Sequence, residues 1–98
     1  MKVYFRNKKL ELIFSEEAHK TKLPVAVIKS ARAKIIFISN AKTEEDLINW
    51  RSLNYETLLG KKSGFRSIRL NKQWRLVFEL IETADAIEVH LSSIEDYH

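Results

Sequence analysis

Between Arg51 and Arg75 the chain sets Arg51, Lys61, Lys62, Arg66, Arg69, Lys72 and Arg75 against one carboxylate, Glu56. Cations crowded this way can bind a polyanion, and arginine suits phosphate best. Its planar fork gives two parallel charge-assisted bonds to phosphate oxygens. Beyond Arg75 the balance reverses, with Glu79, Glu82, Asp85, Glu88, Glu95 and Asp96. The formal net charge of +4 permits a polyanionic partner. A solvated charged surface gives the same count, so charge alone leaves both readings open.

Other chemistries find little footing. The absence of cysteine removes disulfides and thiol chemistry, and it fits a reducing compartment such as the cytoplasm. His19 and His90 stand far apart, without a cysteine or a local acidic cluster to complete a metal site. Neither a metal nor another cofactor is expected. No apolar run approaches the roughly 20 residues of a membrane span. The best candidate, Ile35–Ile38, is flanked by Lys34 and Asn40, and no secretory leader is recognisable. No membrane association is expected.

The elements that must position these residues follow from periodicity. A length of 98 residues, 45% apolar and 31% charged, suits one domain over 1–98. Val3, Tyr4 and Phe5 suit a short strand within Met1–Phe5. Asn7 can cap a helix in which Leu10, Ile13, Phe14 and Ala18 form the apolar stripe. Pro24 can open a second helix. Val27, Ile28, Ala31, Ile35 and Ile38 give it a buried face, and Asn40 can close it in a left-handed turn. Thr43-Glu44-Glu45-Asp46 has the form of a capping box, with Leu47, Ile48 and Trp50 as the apolar side of the next helix.

The second half changes period. Phe65–Leu70 alternates, as does Trp74–Leu80, and Asn71-Lys72-Gln73 between them suits a hairpin connection. Ile87, Val89 and Leu91 alternate with Glu88 and His90 in a third strand. Gly60 and Gly64 bracket Lys61-Lys62-Ser63 in a tight loop. The predicted architecture is α+β, an antiparallel sheet with two to three N-terminal helices on one face. If Trp74, Leu76, Phe78 and Leu80 face those helices, Arg75 must project from the opposite face. That face is expected to be solvated and lined by basic side chains, where phosphate binds readily.

The segment Leu58–Phe78, with Ser67-Ile68-Arg69, Asn71 and Gln73-Trp74-Arg75 in a fixed frame, is the most specific part of the sequence. Together with Asp96-Tyr97-His98 it resembles HigB-type toxins, the plasmid maintenance killer branch of the RelE/ParE superfamily. The first half matches in length and pattern only. The resemblance implies the RelE-like microbial RNase fold and a type II toxin that cuts mRNA in the ribosomal decoding site without a metal. It also implies neutralisation by a HigA-type helix-turn-helix antitoxin in a hetero-oligomer. In that chemistry the RNA 2′-OH attacks the adjacent phosphate, leaving a 2′,3′-cyclic phosphate and a free 5′-OH.

Such a reaction needs a base, a cation at the phosphate and an acid for the leaving oxygen. The resemblance assigns the phosphate to Arg75 and the remaining catalysis to Asp96, Tyr97 and His98. His98 is the natural proton carrier near neutral pH. Tyr97 can stack on a base, and Asp96 can orient the imidazole or act as base. RNA contact is assigned to Lys61, Lys62, Arg66, Arg69 and Gln73. Two positions depart from the family pattern: Leu59 stands where lysine is frequent, and Glu56 where some members carry histidine. A carboxylate there can serve as base if a cation sits beside it. A ParE-like gyrase inhibitor and a relic that only binds antitoxin are the rival readings. The terminal Asp96-Tyr97-His98 argues against the first, which needs no proton carrier.

Overall fold

The computed structural model of the protein describes residues 1–60 and 64–97. Its elements are β1 (Lys2–Phe5), α1 (Lys8–Glu11), α2 (Val25–Asn40), α3 (Glu44–Asn49), β2 (Glu56–Thr57), β3 (Phe65–Arg69), β4 (Trp74–Glu82) and β5 (Ile87–Asp96). The strands form one sheet in the order β1-β5-β4-β3-β2. All neighbours are antiparallel except β1 and β5, which run parallel. The predicted α+β architecture is therefore present, with one parallel edge added.

The alternation of β4 decides the layering. Leu76 and Phe78 are fully buried and share the core with Ile68, Val89 and Leu91 from neighbouring strands. Val27, Ile28, Ala31, Ile35 and Ile38 of α2 close it from above, the five residues expected from their spacing. Burying each of the valine, leucine, isoleucine and phenylalanine side chains is worth about 1.5–3 kcal/mol. Pro24 lies just outside α2, and its carbonyl accepts from the Val27 and Ile28 amides at 3.0 Å each.

Three local expectations are corrected. The first apolar stripe is broken rather than carried on one helix. Asn7 caps α1, but the chain tightens into a 3₁₀ turn at Leu12–Phe14 and restarts in another at Ala18–Thr21. Ser15 causes the break: its hydroxyl donates to the Leu12 carbonyl (2.8 Å) and accepts from the Glu17 amide (3.0 Å). Leu10, Ile13 and Ala18 still reach the core, while Phe14 is left exposed. Asn40 is the last residue of α2, and the chain leaves through extended Ala41 instead of a left-handed turn. On α3 the Thr43–Asp46 capping box forms, yet only Leu47 is buried. Ile48 stays exposed, and Trp50 packs edge-on against Phe37 at 4.5 Å.

The β3–β4 hairpin closes where expected. The Asn71 side-chain oxygen accepts from the Gln73 amide (2.9 Å) and the Trp74 amide (2.8 Å). A bulge opposite Val77 and Phe78 shifts the β4–β5 register by one residue. It leaves Arg75 paired with Glu95, and Glu79 with His90.

Candidate nucleic-acid site on the sheet

The face of the sheet away from the helices carries Phe65, Ser67 and Arg69 from β3 and Arg75, Val77 and Glu79 from β4. From β5 it carries Glu88, His90, Ser93 and Glu95, and from β2 Glu56. It is thus mixed in charge rather than basic, because β5 belongs to the acidic stretch and lies against β4. Arg75 is on this face as predicted, but it is not solvated: only 7% of it is exposed.

Its cover comes from residues distant in sequence. The Arg75 Nε donates to the Ser67 hydroxyl at 2.9 Å, and Nη2 donates to the Ser67 carbonyl at 3.3 Å. Nη2 also donates to the carbonyl of Asn54. Asn54 follows the 3₁₀ turn Arg51–Leu53 in a left-handed conformation, φ 50°, which asparagine accepts more readily than most residues. The carboxylate of Glu56 stands 4.0 Å from Nη2, and the Tyr97 ring lies 5.7 Å from the guanidinium carbon. These bonds fix the plane of the guanidinium and engage Nε and Nη2; Nη1 takes no part in them.

The C-terminal residues are tied to the same hairpin. The Tyr97 amide donates to the Gln73 carbonyl at 2.7 Å, and the Gln73 side-chain amide donates to Asp96 at 2.9 Å. Gln73 therefore holds Asp96 and Tyr97 beside Arg75. Arg69 is the cross-strand neighbour of Arg75, with its Nε on the Asn71 carbonyl at 3.2 Å. Lys61, Lys62 and His98 lie outside the described residues.

Arg66 is separated from this group. It turns to the helix side, where its Nε donates to Glu44 at 3.1 Å, and the Tyr55 hydroxyl donates to the same carboxylate oxygen. The Tyr55 hydroxyl and then Arg66 hold the Glu44 carboxyl below its usual range, against the cost of burial. Burial, followed by the Glu44 bond, pushes the Tyr55 hydroxyl up. This network joins α3 to β3 and accounts for Arg66 structurally.

Glu56 and Asn54 are the positions where spacing gave no sign of proximity to Arg75. His90 also gains partners that the sequence did not reveal: it stacks on Tyr4 at 4.9 Å, and its Nε2 lies 3.0 Å from Glu88. Among the described residues no three His, Asp or Glu side chains converge as a metal site requires. Nor, among them, is any helix long and apolar enough to cross a membrane.

Comparison with known proteins fits this geometry. The family model for the RelE-like toxin of type II toxin-antitoxin system HigB matches residues 3–98. Toxin HigB-1 of Vibrio cholerae is 29% identical over 82 residues, covering 84% of this chain and 86% of that protein. In fold, the chain is similar to the YoeB/ParE toxin from Agrobacterium tumefaciens, with a TM-score of 0.63 at 11% identity over 100% of both chains. The YoeB-YefM complex from Staphylococcus aureus contains a similar chain, with a TM-score of 0.58 at 19% identity, covering 100% of this chain and 97% of that one. The chain belongs to the HigB-like toxins, the RelE-like toxins of type II toxin–antitoxin systems.

Proposed function

We propose that this toxin is a ribosome-dependent, metal-independent mRNA endonuclease acting in the cytoplasm, held in check by a HigA-type helix-turn-helix antitoxin. The observation that carries the reading is the clamped guanidinium of Arg75, set between the carboxylate of Glu56 and the ring of Tyr97. A fixed cation at the position where charge develops is worth most when it need not reorganise during the reaction.

In the proposed reaction the RNA 2′ oxygen bonds to the adjacent phosphorus while the bond from phosphorus to the 5′ oxygen breaks. The 2′-OH proton passes to a base, and an acid protonates the departing 5′ oxygen. Arg75 meets the phosphate through Nη1, the edge its internal bonds leave out. Arg69 adds a second cation, and a phosphate between the two would relieve the repulsion of like charges placed opposite each other. Glu56 takes the proton in this proposal, a reading supported by the Arg75 guanidinium at 4.0 Å, which offsets its charge beside RNA. Tyr97 stacks on a base, His98 carries the second proton, and Asp96 orients the terminus through Gln73. Lys61 and Lys62 are proposed to hold backbone phosphates.

The test is end-mapping of a reporter mRNA translated in the presence of the purified toxin. Cuts confined to translated codons, absent with Arg75→Ala, are expected. Intact mRNA with damaged DNA would instead identify a gyrase inhibitor, and no effect on either would identify a relic.

A further inference from the structure

The helix layer carries a feature that phosphate chemistry does not explain. Val25, Lys29, Arg32 and Ile36 recur along α2 at spacings of four, three and four, which places them in one outward row. Both ends of the row are aliphatic and open to solvent: Val25 is 68% exposed and Ile36 52%. Beside its N-terminal half lies an open groove of about 420 Å³, floored by Ala18, Leu23 and Ile28 and rimmed by Lys22, Lys29 and Arg32.

The rim is strongly one-sided in charge. Glu16 is its one carboxylate, and Lys22 and Lys29 have no acidic partner among the described residues. The Arg32 side chain is held in place by its Nε bond to the Ile13 carbonyl at 2.6 Å. A nucleic acid would use the cations but gain nothing from exposed valine and isoleucine. A protein helix would use both, because apolar and charged positions alternate at helical spacing.

We infer that the outer row of α2 and its groove are the docking surface for the antitoxin, and that the antitoxin presents an amphipathic helix with carboxylates set between its aliphatic residues. This inference rests on the toxin–antitoxin reading above, but it concerns the helix layer and not the Arg75 face. Val25 and Ile36 supply the apolar contact. Lys22, Lys29 and Arg32 fix the register and speed the encounter by charge complementarity.

The experiment pairs the full chain with the product of the adjacent gene and measures their affinity at low and high salt. Val25→Asp with Ile36→Asp and, separately, Lys22→Glu with Lys29→Glu should each weaken binding by ~10-fold or more. The charge reversals should also flatten the salt dependence. An aspartate at position 25 favours the first turn of α2, position 36 is exposed to solvent, and circular dichroism of each double variant verifies that the fold is kept. Lys72→Glu, in the β3–β4 turn, should bind as the wild type does. Undiminished binding by both double variants would overturn the surface while leaving the toxin reading intact. So would an isolated chain whose self-association is lost with Val25→Asp, or variants that weaken ribosome binding as much as antitoxin binding. Absence of any complex would remove the antitoxin premise itself, whereas mRNA cleavage is read independently.

Discussion

Ser67 holds Arg75 twice, through its hydroxyl on Nε at 2.9 Å and its carbonyl on Nη2 at 3.3 Å. The serine is fully buried on β3, directly across from Val77, so the sheet itself sets one side of the arginine, and the Asn54 carbonyl completes the hold on Nη2. Replacing it with alanine leaves the buried Nε without its acceptor, while the two backbone carbonyls still hold Nη2. The expected loss is ~1–3 kcal/mol of stability, with mRNA cleavage reduced by ~10-fold or more as the guanidinium loses its fixed plane. Urea unfolding and reporter cleavage measure the two effects, and a Ser67→Ala protein unchanged in both would remove the clamp from the mechanism.

Glu56 separates a catalytic role from a structural one. Glu56→Gln keeps the shape of the side chain and removes the proton acceptor. Cleavage on saturating ribosomes should fall ~10²-fold or more, the usual contribution of a positioned base. Ribosome affinity should hold or rise, since a negative charge near phosphates is gone. Single-turnover rates against pH check this, and a wild-type rate and profile would exclude Glu56 as the base.

Tyr97 should act through its ring. Tyr97→Phe retains the stack over Arg75 and should still arrest growth, whereas Tyr97→Ala and deletion of Tyr97-His98 should not. Circular dichroism establishes that each variant is folded. Full toxicity in the folded deletion would move the chemistry away from the terminus.

The Tyr55–Glu44–Arg66 network predicts an acid-sensitive stability. The folded state holds Glu44 below its ordinary value, so the stabilisation is complete above roughly 4.3, the unfolded glutamate pKa. It is lost as pH falls through the lower folded value. Tyr55→Phe removes the main cause of that shift. It should cost ~0.5–1.5 kcal/mol near neutral pH, since the partly exposed Glu44 carboxylate is screened by solvent, and less in acid. Denaturant midpoints measured across the acid range test this; parallel curves for the two proteins would contradict it.

Much of this arrangement was legible in the sequence where periodicity speaks directly. The buried face of α2 and the two faces of β4 follow from spacing, and the same spacing puts Arg75 on the face away from the helices. Its burial was not legible, because the cover comes from Asn54, Glu56 and Tyr97, none of them near Arg75 in the chain. The break at Ser15 depends on a side chain competing with the helix, which an apolar stripe does not register. Arg66 carried the same charge as Arg69, yet strand alternation sends it to Glu44 on the opposite face. Basic composition could not reveal that β5 would bring Glu95 directly beside Arg75.

The parallel edge also sets an order of assembly. β3, β4 and β5 join consecutive stretches of chain through short turns, so their closure costs little entropy. β1 must wait for β5, since Val3 pairs with Val89 across almost the whole sequence. The half of the sheet that holds Arg75 can therefore form first, with β1 docking late and detaching early. Amide exchange should be fastest along Lys2–Phe5 and slowest along β4, so that this edge opens repeatedly while the guanidinium stays in its frame.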